Sequence, residues 1–177
     1  MTLLKTVSPE AASGEVAALY DHMKAAFGGV PNALSIWSES PLLLKQQFEF
    51  IGYYMQHPRL SGALLATIRM LVSVDTKCIY CVEFNAGMLI NMMGWTPEQV
   101  AATNTDPSAA NLPEREKNLL TWVLKSVQDA NHVTAEELDA LRTQDWSDQD
   151  ILEALSHGAR MVAGDIILNA FKVKRDY

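Results

Sequence analysis

The sequence predicts an all-α protein, a single helical bundle of about eight helices. Three observations lead there. Apolar residues recur at three- and four-residue spacing almost throughout the chain. Helix-start signals, a capping hydroxyl or a proline followed by acid, stand in front of most of these runs. No stretch sustains the period-2 alternation of β-branched and aromatic residues that a strand needs.

The elements follow in order. Ser8-Pro9-Glu10 opens a helix carrying Val16, Leu19, Tyr20, Met23 and Phe27, which Gly28-Gly29 stops. Val30-Pro31-Asn32 begins a connector through Trp37. Ser40-Pro41 starts a second helix, which His57-Pro58 ends. Ser61 caps a third, with Leu64, Leu65, Ile68, Leu71 and Val72 on its periodic positions. Asp75 or Thr76 caps a fourth, running from Cys78 to about Met92, with Gly94 at its end. Thr96-Pro97-Glu98-Gln99 opens a short fifth helix, and the polar stretch Thr103 to Leu112 reads as a loop. Pro113-Glu114 opens a sixth, the capping box Thr134-Ala135-Glu136-Glu137 a seventh, and Ser147-Asp148-Gln149-Asp150 a long last one.

Composition bounds the function. The chain has 177 residues, 49% apolar and 20% charged, enough oil for one core and too little charge for a disordered tail. We read residues 1–177 as one domain, with N-terminal helices over 1–59 and a cysteine-bearing core over 60–177. A net charge of −7 without a basic run disfavours nucleic acid and anionic membranes as partners. Two cysteines exclude a disulfide scaffold. The most apolar segment, Leu60 to Val74, is broken by Arg69 and falls short of the ~20 residues of a spanning helix. The expectation is a soluble, cytoplasmic protein without a signal segment.

The constellation above background is Cys78-Ile79-Tyr80-Cys81. Residues i and i+3 share a helix face, so the two thiols can close a reducible disulfide. At a helix start, unpaired N–H groups and the helix dipole lower a thiol pKa, which favours Cys78 as a thiolate. The bland alternative is a pair of small buried hydrophobes. A zinc site needs two further ligands, and His57, His132 and His157 show no ligand spacing, so zinc is not expected.

These residues resemble the carboxymuconolactone decarboxylase superfamily, and within it the alkylhydroperoxidase D-like, peroxidase-related branch. Leu60-Ser61 ahead of the Cys-x-Tyr-Cys, Gly94-Trp95-Thr96-Pro97-Glu98-Gln99-Val100, Leu112-Pro113-Glu114-Arg115-Glu116 and Trp146-Ser147-Asp148-Gln149-Asp150-Ile151 carry the resemblance. Gly29-Val30-Pro31-Asn32 and Ser40-Pro41-Leu42-Leu43 extend it upstream, so that it spans about residues 28 to 173. It implies an all-helical fold, no metal, no organic cofactor and a homo-oligomer, trimer or hexamer. It also implies that Cys81 attacks a hydroperoxide, while Cys78 resolves the sulfenic acid to a disulfide and faces a thiol reductant.

The chain departs from the family pattern E-x11-C-x-Y-C-x3-H at both proton-handling positions, which hold Ala66 and Asn85. Asn85 cannot titrate near pH 7, although it can hydrogen-bond a thiolate. Losing a general acid–base relay costs about 10²–10⁴-fold in rate. No substitute is evident in sequence. Glu83 lies about 200° round the helix from Cys81. Arg69 reads as a surface or subunit-interface residue, with a role near the thiols as the alternative. Asp165 stands inside an apolar run as a candidate buried partner of Arg69 or Arg160. His157 reads as packed or solvent-facing, His57 as part of a helix stop, and Met88, Met92 and Met93 as core or oligomer seam.

Three functions remain open. The first is a dithiol oxidoreductase acting on hydroperoxides or disulfides through Cys78 and Cys81, with an altered relay around Asn85. The second is a non-enzymatic scaffold, redox sensor or ligand-binding member. The third is a decarboxylase-type enzyme acting on a small lactone.

Overall fold

The computed structural model describes residues 2–176, and every regular element among them is helical. The helices are α1 (Gly14–Phe27), α2 (Asn32–Ser35), α3 (Pro41–Met55), α4 (Gly62–Asp75), α5 (Ile79–Met93), α6 (Pro97–Thr105), α7 (Glu114–Gln128), α8 (Ala135–Thr143) and α9 (Asp148–Ala170). Two 3₁₀ turns, Pro107–Ala109 and Ala130–His132, lie on either side of α7. The chain groups into two compact units. One comprises residues up to Gln56 together with those from Ile167 onward; the other runs from His57 to Ile166.

In the first unit, Val16, Leu19, Tyr20 and Met23 of α1 are buried with Leu34 and Leu44. The Tyr20 hydroxyl donates to the Val7 carbonyl at 2.8 Å, and Val7 N donates to Ser38 Oγ at 2.8 Å, tying the N-terminal strap over this core. One expectation needs correction here. The first helix begins at Gly14, not at Ser8, because Ser8 folds into a turn that takes the Ala11 N–H. The Val30–Trp37 connector contains the one-turn helix α2, and the described residues hold nine α-helices, in line with the expected bundle of about eight. Asn32 explains that turn: its backbone N–H donates to Asp176 and its amide to the Lys174 and Arg175 carbonyls.

The second unit is built on α4, which packs chiefly against α5 and α7. Leu64, Leu65, Ala66, Ile68, Met70, Leu71 and Val72 are all buried, and a helix apolar on nearly every side belongs inside. Ala66 is fully buried, so the position is core packing. Ser61 caps α4 by accepting from Leu64 N at 3.0 Å and also donates to the buried Glu116 at 2.9 Å. The capping boxes read at Thr96 and Thr134 are both formed. Ser147 and Asp150 exchange reciprocal bonds at the start of α9, where Asp150 also accepts from Arg59. His57 does more than end a helix. Its Nδ1 accepts from the Arg59 and Leu60 N–H groups, which leaves Nε2 to donate to Glu153 at 2.7 Å.

Candidate dithiol site

The link between α4 and α5 places the thiols. Lys77 adopts φ +58, a left-handed turn that reverses the chain within three residues. Cys78 N then bonds back to the Ser73 carbonyl at 2.9 Å. The expected caps do not form. Asp75 ends α4 and accepts from Gln128, while Thr76 is its C-cap residue. Cys78 itself occupies the N-cap of α5 without a side-chain cap bond, and Cys81 sits in its first turn.

Both thiols are free and buried, Cys78 at 1% exposure and Cys81 at 4%. An outward-facing Cys78, implied by the family resemblance, is therefore not found. The third member of the site is Asp165 of α9, fully buried, whose carboxylate and the two sulfurs all lie within 4.8 Å of one another. Asp165 Oδ2 accepts from Thr76 Oγ1 at 2.5 Å, and Oδ1 has no hydrogen-bond partner of good geometry. The expected pairing of Asp165 with Arg69 or Arg160 gives way to this one. The trio offers three metal donors, one short of a closed zinc site.

The neighbouring Cys78, then burial, then the Asp165 charge push the Cys81 thiol well above its usual range. Cys81 is thus a resting thiol, and activation has to come with the reaction.

One turn beyond Cys81, Asn85 is buried and bridges two elements. Its amide nitrogen donates to the Cys81 carbonyl at 2.8 Å, and its Oδ1 accepts from Arg69 Nε at 2.6 Å. Arg69 Nη1 donates to His157 Nε2 at 3.0 Å, and Nη2 reaches the Met88 sulfur at 3.6 Å. No carboxylate pairs with Arg69 among the described residues. The surface or subunit-interface reading of Arg69 is corrected: it turns inward, where Asn85, His157 and Met88 hold it. Burial pulls the guanidinium down to about 10, and the negative charge of a Cys81 thiolate works the other way. At neutral pH Arg69 remains a part-buried cation bonded to Asn85 and His157.

An arginine only donates, so His157 Nε2 accepts and the imidazole is neutral. Burial, then Arg69, holds its pKa well below 6.5. The sign of the pH effect follows. The unfolded chain takes up a proton below about pH 6.5 and the folded chain does not. The contribution is complete above 6.5 and is lost at about 1.4 kcal/mol per pH unit as pH falls toward the folded pKa. Urea midpoints of the wild type and His157→Gln at pH 7.5, 6 and 5 are expected to converge as pH falls. A constant difference would remove His157 as the source.

No protein-family model matches the sequence, and no curated protein matches it either. Solved structures match the whole architecture. A peroxidase-related protein of Ralstonia eutropha JMP134, described as an alkylhydroperoxidase AhpD core, is similar at a TM-score of 0.85. The match covers 98% of this chain and 92% of that one, at 18% identity. The chain has the alkylhydroperoxidase AhpD fold. A peroxidase-related protein of Silicibacter sp. TM1040 is similar at a TM-score of 0.80 and 17% identity, over 97% of this chain and 87% of its own. The debrominase Bmp8, in a cysteine-to-alanine variant complexed with 2,3,4-tribromopyrrole, is similar at a TM-score of 0.76 and 15% identity, over 99% of this chain and 92% of its own.

In this AhpD-like chain the site gathers Cys78, Cys81 and Asn85, the residues picked from sequence, and adds Thr76, Asp165, Arg69 and His157. The one sequence signal for the additions is a charged residue inside an apolar run, at Arg69 and again at Asp165. Which groups they meet depends on how α9 packs. No helix among the described residues is long and apolar enough to cross a membrane.

Proposed function

We propose that the protein is a dithiol oxidoreductase that reduces a small hydroperoxide and is returned to the reduced state by a thiol carrier. The observation that carries this reading is the juxtaposition of Cys78, Cys81 and the Asp165 carboxylate within 4.8 Å. Cys81 Sγ attacks the peroxide, an S–O bond forms, the O–O bond breaks, and an alcohol and a sulfenic acid result. Cys78 Sγ then attacks Cys81 Sγ, the S–O bond breaks, and water leaves as the disulfide forms. Two thiols and one hydroperoxide become one disulfide, one alcohol and one water. Asn85 and Arg69 lie behind Cys81, one on its carbonyl and the other as the cation available to a thiolate. The reading includes a homo-oligomer, for which the exposed Leu42, Leu43, Tyr53 and Met55 of α3 offer apolar surface.

A second reading has one observation in its favour. Both thiols are buried and the Cys81 thiol is raised, as suits a core pair in a non-enzymatic member of the fold.

Thiol counting by mass spectrometry separates the two. The reduced protein is expected to lose both thiols to hydrogen peroxide or cumene hydroperoxide at neutral pH, faster than free cysteine. Cys81→Ser should abolish the reaction. Cys78→Ser should stop at a sulfenic acid that dimedone traps. Thiols that react only in denaturant would overturn the oxidoreductase reading in favour of the core pair.

A further inference from the structure

We infer that Asp165 is the general base of the dithiol, taking the proton from each sulfur in turn and returning it to the leaving oxygen. This deepens the oxidoreductase reading and rests on it for the identity of the substrate.

The geometry supplies the argument. A thiol that is protonated at rest must lose its proton as its sulfur attacks, and in a buried site that proton needs an acceptor close by, brought into hydrogen-bond reach as the reaction proceeds. Asn85 is not one, since an amide has no basic lone pair at neutral pH. His157 is not one either, because its Nε2 is committed to Arg69. Asp165 is in place. Its carboxylate lies within 4.8 Å of both sulfurs, so one group can serve both steps. Its fixed oxygen, Oδ2, is held by Thr76 at 2.5 Å. Its other oxygen, Oδ1, is buried without a hydrogen-bond partner of good geometry and so is open to a proton.

The transfer conserves charge. Before it, the negative charge sits on Asp165; after it, on Cys81, and the site's total is unchanged. In the first step the Cys81 proton passes to Asp165 as the S–O bond forms, and then to the departing alkoxide, which leaves as the alcohol. In the second, the Cys78 proton passes to Asp165 as the S–S bond forms, and then to the departing hydroxide, which leaves as water. Asp165 ends each step as it began.

The groups facing Asp165 are the thiols of Cys78 and Cys81 at the start of α5 and the hydroxyl of Thr76 in the link. A carboxylate that acts only through its charge raises the thiol pKa, so removing that charge should make the thiols more reactive. A carboxylate that acts as a base gives the opposite sign.

The experiment is alkylation of the reduced full-length protein by iodoacetamide across the pH range, which requires thiol deprotonation but no peroxide. The wild type is expected to give a rate that is nearly flat between about pH 6 and 8. Asp165→Asn, which keeps an acceptor for Thr76, is expected to slow alkylation at pH 7 by about 10²-fold and to restore a rate that rises tenfold per pH unit. Asp165→Asn reacting as fast as the wild type, or faster, overturns the proposal. If that variant fails to fold, the wild-type profile decides: a rise of tenfold per unit through neutral pH, or thiols that alkylate only in denaturant, overturns it. The flat profile in a protein whose thiols ignore hydroperoxides would keep the base and discard the peroxidase reading.

Discussion

Arg69→Met is expected to slow oxidation of the dithiol at neutral pH by about 10–10³-fold, the range for removing an opposite charge worth one to three pKa units. The side chain is an inward-facing cation held by Asn85, one turn beyond Cys81, and by His157, and no carboxylate neutralises it among the described residues. A thiolate formed in a low-dielectric site without that charge has to be stabilised by Asn85 and the helix N-terminus alone. Methionine follows the stem of arginine and keeps the packing against Met88, so the loss reports charge more than volume. Some stability goes with it. Asn85 Oδ1 and His157 Nε2 lose their donor, at about 1–3 kcal/mol for each buried acceptor left unpaired. Thiol oxidation is therefore to be followed below the variant's own melting temperature, with near-ultraviolet circular dichroism as the control for packing. A folded Arg69→Met that oxidises at the wild-type rate would remove Arg69 from the chemistry and leave it a structural tie between α4, α5 and α9.

Gly158 packs α9 closely against α4 and α7, and substitution there is expected to cost stability. A Cβ at this position would lie 2.9 Å from Val123 Cγ1, 3.2 Å from Val127 Cγ2 and 3.4 Å from Ile68 Cγ2. All three neighbours are β-branched and stiff at χ1, so none can swing aside cheaply. Overpacking costs about 1–3 kcal/mol, while alanine recovers about 1 kcal/mol of helix propensity. Gly158→Ala should therefore lose about 0–2 kcal/mol, and Gly158→Val about 3 kcal/mol or more, read as shifts of the urea midpoint at unchanged slope. The site should suffer as well, because His157 is adjacent and Asp165 lies two turns further along the same helix. A stabilised Gly158→Ala would mean that α9 is free to move outward and does not fix the position of Asp165.

Helix existence was legible because it depends on local chemistry. The capping boxes at Thr96 and Thr134, the Ser61 cap and the three- to four-residue apolar period act within one or two turns, and the chain carries them in its order of residues. Boundaries were less so. Ser8-Pro9-Glu10 carries a start signal, yet the helix waits for Gly14; the link to α5 turns at Lys77, which no capping rule anticipates. The thiol pair and its helix face were legible for the same local reason: three residues of separation set the face.

What stands around the pair was not. Asp165 follows Cys81 by 84 positions, and no spacing rule reaches so far. The chain shows only that a carboxylate and a guanidinium stand in apolar runs, where each needs a partner because burying an unpaired charge is costly. It does not show which partner. Packing of α9 against α4 and α7 turned Asp165 to the thiols and Thr76, and left Arg69 to Asn85 and His157. Alone, the sequence determined an all-helical chain with two thiols on one helix face and no proton acceptor at the two positions the family resemblance names. Tertiary structure decided that both thiols are buried, that a carboxylate from another helix lies within 4.8 Å of them, and that an arginine bonds Asn85 one turn beyond Cys81. Local order follows from contacts a few residues apart, whereas the pKa of a buried group is set by whichever charges the whole fold brings within a few ångströms.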